Sequence, residues 1–212
     1  MMRLQKSFYL QSDVVDVAKQ LIGKLLVSKI GGTVTKGIIS ETEAYNGIKD
    51  KACHAFNNKR TNRTEVMFHE GGKCYLYLCY GVHTLFNIVV SEKDTPNAVL
   101  IRSLIPFEGI VFMKERRGLS VNENKLCSGP GNLSKAMGFH YSQSGLSLLE
   151  NDIFIEDNGI IIEDQHIEVS KRIGVEYAKE HADLPYRFVL KPYFCDQLKK
   201  KYSNGPLSDR IS

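Results

Sequence analysis

Residues 24–45 read KLLVSKIGGTVTKGIISETEAY. Two runs rich in Leu, Val, Ile and Thr flank the pair Gly31-Gly32, the pattern of a strand, a turn and a second strand. Along an extended chain alternate residues share a face, so Glu41, Glu43 and Tyr45 of ETEAY line up together. Like charges side by side on a strand repel one another. Either basic partners neutralise this pair as a salt-bridged surface, or chemistry uses it.

The segments on either side extend the same pattern. Residues 12–23, SDVVDVAKQLIG, read as a short helix with Ser12 or Asp13 as N-cap and Gly23 as C-cap. KCYLYLC and HTLFNIVV are two strands around a Tyr-Gly-Val turn, hence a hairpin. NAVLIRSLIP adds a strand, FEGIVFMKERRG a helix ending at Gly118, and CSGPGNLSKAMGF a Gly/Pro turn leading into a helix. FIED, GIIIED, IEVSKRIGV and PYRFVLKP read as strands. Residues 46–72 form a polar stretch without strong periodicity, and a loop of that length inside a domain is usually functional or disordered. Strands and helices mix without regular βαβ alternation, which predicts an α+β fold with a largely antiparallel sheet flanked by helices. The 212 residues are predicted to form a single domain, with about 1–8 and 199–212 frayed.

With 42% hydrophobic and 25% charged residues, the chain has a globular composition. Its net charge of +4 and pI of about 8.7 permit an anionic partner without demanding one. Five scattered cysteines without a CxxC favour a reducing cytosol over a disulfide framework. The N-terminus lacks the apolar stretch of a signal peptide. Residues 74–91 carry no Asp, Glu, Lys or Arg and approach the length of a membrane span, yet Tyr80-Gly81-Val82-His83-Thr84 at their centre and their β-forming flanks argue for a hairpin and no membrane role.

Gly129-Pro130-Gly131-Asn132-Leu133-Ser134 fails as a dinucleotide fingerprint, because Ser134 replaces the third glycine and proline follows the first. It reads as a turn into a helix N-terminus. Cys53, His54, His69, Cys74, Cys79 and His83 lack the close spacing of a zinc site, so neither a metal nor another cofactor is expected. Tyr75 and Tyr77 share a face by parity, and cross-strand packing accounts for Tyr75. Tyr80 falls at a hairpin tip with little core to pack against and is a candidate wedge or stacking residue. Lys49, Lys51, Lys59, Arg60 and Arg63 lie in the polar loop, and Lys114, Arg116 and Arg117 at the end of a predicted helix. Singly these are solvated charges; together with exposed aromatics they fit nucleic-acid binding.

Several blocks, in order and spacing, resemble the alkyladenine (3-methyladenine) DNA glycosylases of the mammalian type. They are ETEAY (41–45), His54, Met67-Phe68, YLYLCYG (75–81), Asn87, LIR ending at Arg102 and LCSGP (126–130). Weaker matches continue through KRIGV (171–175) and PYRF (185–188). The resemblance implies a curved antiparallel sheet with a β-hairpin protruding into the DNA minor groove. It implies hydrolysis of the N-glycosidic bond of a damaged purine of the 3-methyladenine, 7-methylguanine or hypoxanthine class, flipped out of duplex DNA. Glu43 is then the base that activates water, with Arg102 helping to hold that water. Tyr45 and Tyr77 stack on the flipped base, His54 closes the pocket, and Asn87 stands where the 2-amino group of guanine must go. Tyr80 fills the vacated space, with Lys59, Arg60, Arg63 and His83 as further DNA contacts. His83 and Val82 replace larger residues of the mammalian members near the hairpin tip, and the resemblance implies a compact bacterial member, monomeric and cytosolic.

Two other readings stay open on the residues alone. A non-catalytic nucleic-acid-binding module uses the same basic loop and tyrosines but has no need of a carboxylate among them. A glycosidase of free nucleosides uses the carboxylate but lacks salt-sensitive affinity for DNA.

Overall fold

The computed structural model describes residues 2–203. The chain begins with a short strand β1 (Met2–Arg3) and a single helical turn α1 (Lys6–Tyr9). Helix α2 (Val14–Gln20) follows, capped by Asp13, whose carboxylate accepts from the Val15 and Asp16 N–H groups. Asp13 rather than Ser12 therefore fills the N-cap position. Gly23, at φ 88°, turns the chain into β2 (Leu25–Ser28). The paired glycines Gly31 and Gly32, both at positive φ, then lead to β3 (Thr35–Tyr45). The predicted strand, turn and strand are thus all present.

The polar stretch 46–72 contains three 3₁₀ turns, at Gly47–Lys49, Phe56–Asn58 and Glu65–Phe68. The hairpin β4 (Lys73–Cys79) and β5 (His83–Val90) follows, then β6 (Asn97–Glu108). Phe107 and Glu108, expected to open a helix, belong instead to β6, where Glu108 pairs with Lys36. Gly109 at φ 74° ends that strand and starts α3 (Ile110–Arg117). Helix α4 (Glu123–Leu126) and α5 (Pro130–Met137) come next, the latter with proline in its first turn, where a missing N–H costs nothing. Strand β7 (Ile153–Asp157) stops before Gly159. The segment 160–162, expected as a strand, forms none; Ile162 packs against the bare Cα of Gly23, where an added Cβ would lie 2.7 Å away. Strands β8 (Ile167–Ser170) and β9 (Arg187–Leu190) and helix α6 (Pro192–Ser203) complete the described chain. Of the ends expected to fray, Met2–Arg3 pair with β7 and 199–203 lie in α6, while residue 1 and 204–212 fall outside the described residues.

Every strand pairing is antiparallel, in the order β1-β7-β2-β3-β6-β5-β4, with β9 on β3 and β8 on β9. The α+β expectation and the curved sheet both hold, in the form of a curled half-barrel. The cause of the curl is visible where β3 meets β6. Register slips between Lys36 and Gly37, between Ile39 and Glu41, and between Glu41 and Thr42 each insert an extra residue and bend the pair. At the outer edge of β3, β2 pairs with residues 35–38 and β9 takes over at 41–43. Ile38, Ile39, Val99 and Ile101 join Leu25, Leu26, Phe86 and Ile88 in one core, to which both faces of the sheet contribute. Helix α2 lies against β3 and β6, and α5 against β5 and β6. Thr42 points to the α2 side, where its hydroxyl donates to the Ala18 carbonyl at 2.8 Å. Its neighbours Glu41 and Glu43 point the other way.

Among the described residues no helix is long and apolar enough to cross a membrane, and residues 74–91 form the β4–β5 hairpin.

Candidate active site

The third register slip decides where the basic partner of the two glutamates stands. Glu41 pairs with Ser103 and Thr42 with Ile101, so Arg102 is the extra residue of a bulge on β6. A bulge re-aims the side chain it carries. Arg102 Nε thereby reaches Glu41 Oε1 at 2.9 Å and Glu43 Oε1 at 3.4 Å. Glu41 also accepts from Arg187 Nε at 2.7 Å, on the same oxygen. Of the alternatives at ETEAY, neutralisation by basic partners therefore describes Glu41, which holds two arginines, more fully than Glu43, which shares only one of them.

Glu43 is 0% exposed. Its Oε1 accepts from the Ile173 N–H at 2.8 Å and its Oε2 from the Tyr45 hydroxyl at 2.8 Å. Burial pushes its carboxyl above the ordinary carboxylate range, against the opposing pull of Arg102, the Ile173 N–H and Tyr45, and Glu41 adds to the rise. Arg102 is held charged: burial disfavours the cation, but the adjacent charges of Glu43 and Glu41 outweigh it.

Tyr45, Arg102 and Ile173 form part of the wall of a cavity of about 560 Å³, so Glu43 sits directly behind that wall. Tyr77, His54 and Asn87 line the same space. Tyr77 and Tyr75 project on one face of β4 as parity predicts, with centroids 5.5 Å apart. Tyr75 is buried and its hydroxyl lies 2.9 Å from His54 Nδ1, so its role is to hold the imidazole. His54 in turn meets Tyr77 edge to face at 4.7 Å. Asn87 is buried opposite Tyr75 and donates through Nδ2 to the Tyr75 carbonyl at 3.1 Å, which orients its amide.

Burial, then the nearby charges of Arg63 and Lys59, lower the His54 pKa from 6.5 to about 4. The folded state thus binds a proton less readily than the unfolded one. Stability from this group is complete above 6.5, shrinks as pH falls towards 4, and is gone below it. We expect Tm to drop on acidification through that window by several degrees more in the wild type than in His54→Gln, as read by calorimetry. Parallel curves would exclude a buried neutral imidazole.

At the cavity mouth the hairpin turns through Tyr80 and Gly81, both at positive φ (51° and 72°). Tyr80 is 93% exposed, and a bulky residue in the left-handed region with nothing to pack on is conformationally costly. His83 faces Gly131, where an added Cβ would come within 3.1 Å of its ring, so the GPGN turn forms the other side of the mouth.

The remaining basic residues divide. Arg63 lies over the Tyr77 ring at 4.8 Å and lines the cavity. Lys59 is exposed. Arg60 is bound to Glu65 through two bonds and to Asp94 through a third, away from the cavity wall. The grouping of Lys114, Arg116 and Arg117 with the aromatics does not hold. Lys114 pairs with Glu123, Arg116 donates to the Ala136 carbonyl and Arg117 to the Leu126 carbonyl, so all three tie α3 to its neighbours. Among the described residues no three His, Cys, Asp or Glu side chains gather as a metal site.

Sequence reasoning missed Arg172 and Asp50. Arg172, fully buried, forms a two-pronged pair with Asp50 and donates to the Ala44 and His181 carbonyls. Its guanidinium also lies 4.9 Å from the Tyr45 ring centre. By anchoring 172 it presents the next N–H, that of Ile173, to Glu43. The only signal was the KRIGV block itself, which matched without a role.

A profile described as methylpurine-DNA glycosylase matches residues 7–193. A chain of Natranaerobius thermophilus, provisionally named 3-methyladenine DNA glycosylase, is 43% identical over 191 residues, covering 90% of this chain and 96% of its own. Similar chains with the same provisional name occur in Chlamydia abortus (42% over 188 residues, 88% and 97% covered) and Clostridium perfringens (42% over 198 residues, 90% and 96% covered).

Proposed function

The chain belongs to the methylpurine-DNA glycosylase family and is a hydrolase of DNA base-excision repair, and from that premise we propose that Glu43 activates the water that releases a damaged purine flipped out of duplex DNA. One observation carries this reading. A carboxylate held by Tyr45, Ile173 and Arg102 stands behind a cavity of about 560 Å³ whose wall includes Tyr45, Tyr77 and His54.

The steps follow from that arrangement. Tyr45 and Tyr77 stack on the everted purine, and His54, kept neutral by burial and held by Tyr75, closes the pocket. Water attacks C1′, its proton passes to Glu43, and the electrons of the glycosidic bond leave with the base. Positive charge develops at C1′, and the carboxylate stabilises it. A carboxyl held above its ordinary range is a stronger base than a free one. Each carboxylate oxygen offers about two lone-pair sites, so the water can bond to Oε2 beside the Tyr45 hydroxyl or displace it. A purine alkylated at N3 or N7 is cationic; it leaves as a neutral base and stacks well on electron-rich rings. Hypoxanthine must be protonated to leave as readily. Asn87, its amide fixed by the Tyr75 carbonyl, disfavours the 2-amino group of normal guanine. The protein acts on double-stranded DNA as a monomer, in the bacterial cytosol.

Single-turnover base release from duplexes carrying 3-methyladenine, 7-methylguanine or hypoxanthine tests this reading. A binding module leaves every base attached, and a nucleoside glycosidase shows no salt-dependent affinity for the duplex.

Tyr80 enters the vacated position in the helix, as a wedge that offsets part of the flipping cost. The variant Tyr80→Gly keeps a residue suited to positive φ while removing the ring. It should match or exceed the wild type in Tm yet bind lesion duplex about tenfold more weakly, roughly the worth of one stacked ring. Fluorescence anisotropy on lesion and unmodified duplexes decides the matter, since equal losses on both would exclude a wedge.

A further inference from the structure

Glu41, Arg102 and Arg187 form a row across three neighbouring strands, β3, β6 and β9. Arg102 is shared unequally, at 2.9 Å from Glu41 and 3.4 Å from Glu43. Arg187 meets the same Glu41 oxygen at 2.7 Å and is tied back through Nη1 to Ser170 Oγ at 3.1 Å. It reaches that place because β9 pairs with β3 in a register that sets Arg187 against Glu43. The side chains of Glu41, Arg102 and Arg187 are all largely buried, so solvent and salt screen their mutual interaction little.

We infer that Glu41 is a positioning residue: it holds Arg102 by the closer of two contacts, leaving Glu43 only a partial counter-charge, while Arg187 limits how far that pull goes. The inference rests on Glu43 being the base. A carboxylate in full possession of an arginine is stabilised as the anion and accepts a proton reluctantly. One facing no cation in a buried site stays protonated. Dividing Arg102 between two glutamates keeps Glu43 ionised and basic at once. Other groups also face Glu43: Tyr45 from β3, the Ile173 N–H and the Arg172 and Tyr177 side chains from the segment after β8.

The test is the pH profile of single-turnover base release, in which the acid limb reports protonation of the base. Glu41→Gln keeps the shape and an acceptor oxygen for both arginines but removes the charge. Three effects then act in one direction: a like charge disappears, Arg102 turns to Glu43, and Arg187 stands uncompensated. The acid limb should move down by about one pH unit, and the plateau should fall roughly threefold to tenfold as the base weakens. Arg187→Gln leaves Glu41 more negative and should move the limb up, by about half a unit to one unit. Loss of a merely structural contact lowers Tm in both variants without moving the limb. An unmoved limb, or shifts of the same sign in both variants, would overturn the inference. Should Glu41→Gln fail to fold, Arg187→Gln decides alone, with a rise supporting the inference and no change or a fall overturning it. Excision retained by Glu43→Gln would instead overturn the reading of the base itself, whereas an inactive Glu43→Gln with unmoved limbs overturns the role of Glu41 alone.

Discussion

Glu43→Gln is expected to slow base release by roughly 10²–10⁴-fold under single-turnover conditions, the usual worth of a positioned general base, while leaving affinity for lesion duplex within about threefold. The change is conservative in shape. The amide oxygen still accepts from the Ile173 N–H and from Arg102 at the place of Oε1. The amide nitrogen then faces the Tyr45 hydroxyl, which donates to the carboxylate at 2.8 Å in the wild type and can rotate to accept. The proposed stacking by Tyr45 and Tyr77 and the proposed wedge at Tyr80 do not depend on this carboxylate, so binding should persist while the proposed proton acceptor is gone. The wild-type acid limb should sit above the ordinary carboxylate value of 4.5, because burial raises this group; activity falls on the acid side as Glu43 gains its proton. Excision by Glu43→Gln at near wild-type rate would remove this carboxylate from the mechanism.

Arg172→Met should produce the largest loss of stability. Asp50 is buried beside it and takes both prongs of the guanidinium. The substitution leaves that carboxylate uncompensated, and the Ala44 and His181 carbonyls lose a donor. Removing one partner of a buried pair costs about 3–5 kcal/mol. For a chain of this length that corresponds to a fall in Tm of about 10 °C. Activity should fall as well, by roughly tenfold at a temperature where the variant is folded, since a displacement of about 1 Å in a positioning group is felt in the rate. The double variant Arg172→Met/Asp50→Leu removes the orphaned charge and should recover part of the stability without the activity. Calorimetry on the three proteins measures the first effect and single-turnover release the second. A single variant as stable as the wild type would mean that the Arg172–Asp50 pair does not stabilise the fold.

The β4–β5 hairpin, the shared face of Tyr75 and Tyr77 and the carboxylates of ETEAY were legible because they depend on neighbours one to four residues away, and strand parity propagates over such distances without outside help. The helix caps were legible only in part: Asp13, one of two candidates, holds the N-terminus of α2 and Gly118 caps α3, but the C-cap of α2 is Leu21 and not Gly23, because the helix ends at Gln20. The segment 159–164 misled because Gly-Ile-Ile-Ile has the composition of a strand, yet Ile160 and Ile162 pack against the core outside any ladder while Ile161 stays exposed. Lys114, Arg116 and Arg117 misled because a charge count does not reveal that three cations are already spent on carbonyls and a glutamate of their own fold.

The linear order of residues was enough to specify an antiparallel α+β protein, a hairpin bearing an exposed tyrosine and a carboxylate pair next to an aromatic. Local sterics and the two-residue repeat of an extended chain dictate those features, and folding only displays them. Which glutamate is buried and which is neutralised was settled by the third dimension. A one-residue bulge swings Arg102 between the two, a strand from the far end of the chain brings Arg187 to Glu41, and Arg172, 129 positions away, seats an N–H on Glu43. Charge interactions in a low-dielectric interior depend on ångström-scale distances between groups remote in sequence, and only the folded chain sets those distances.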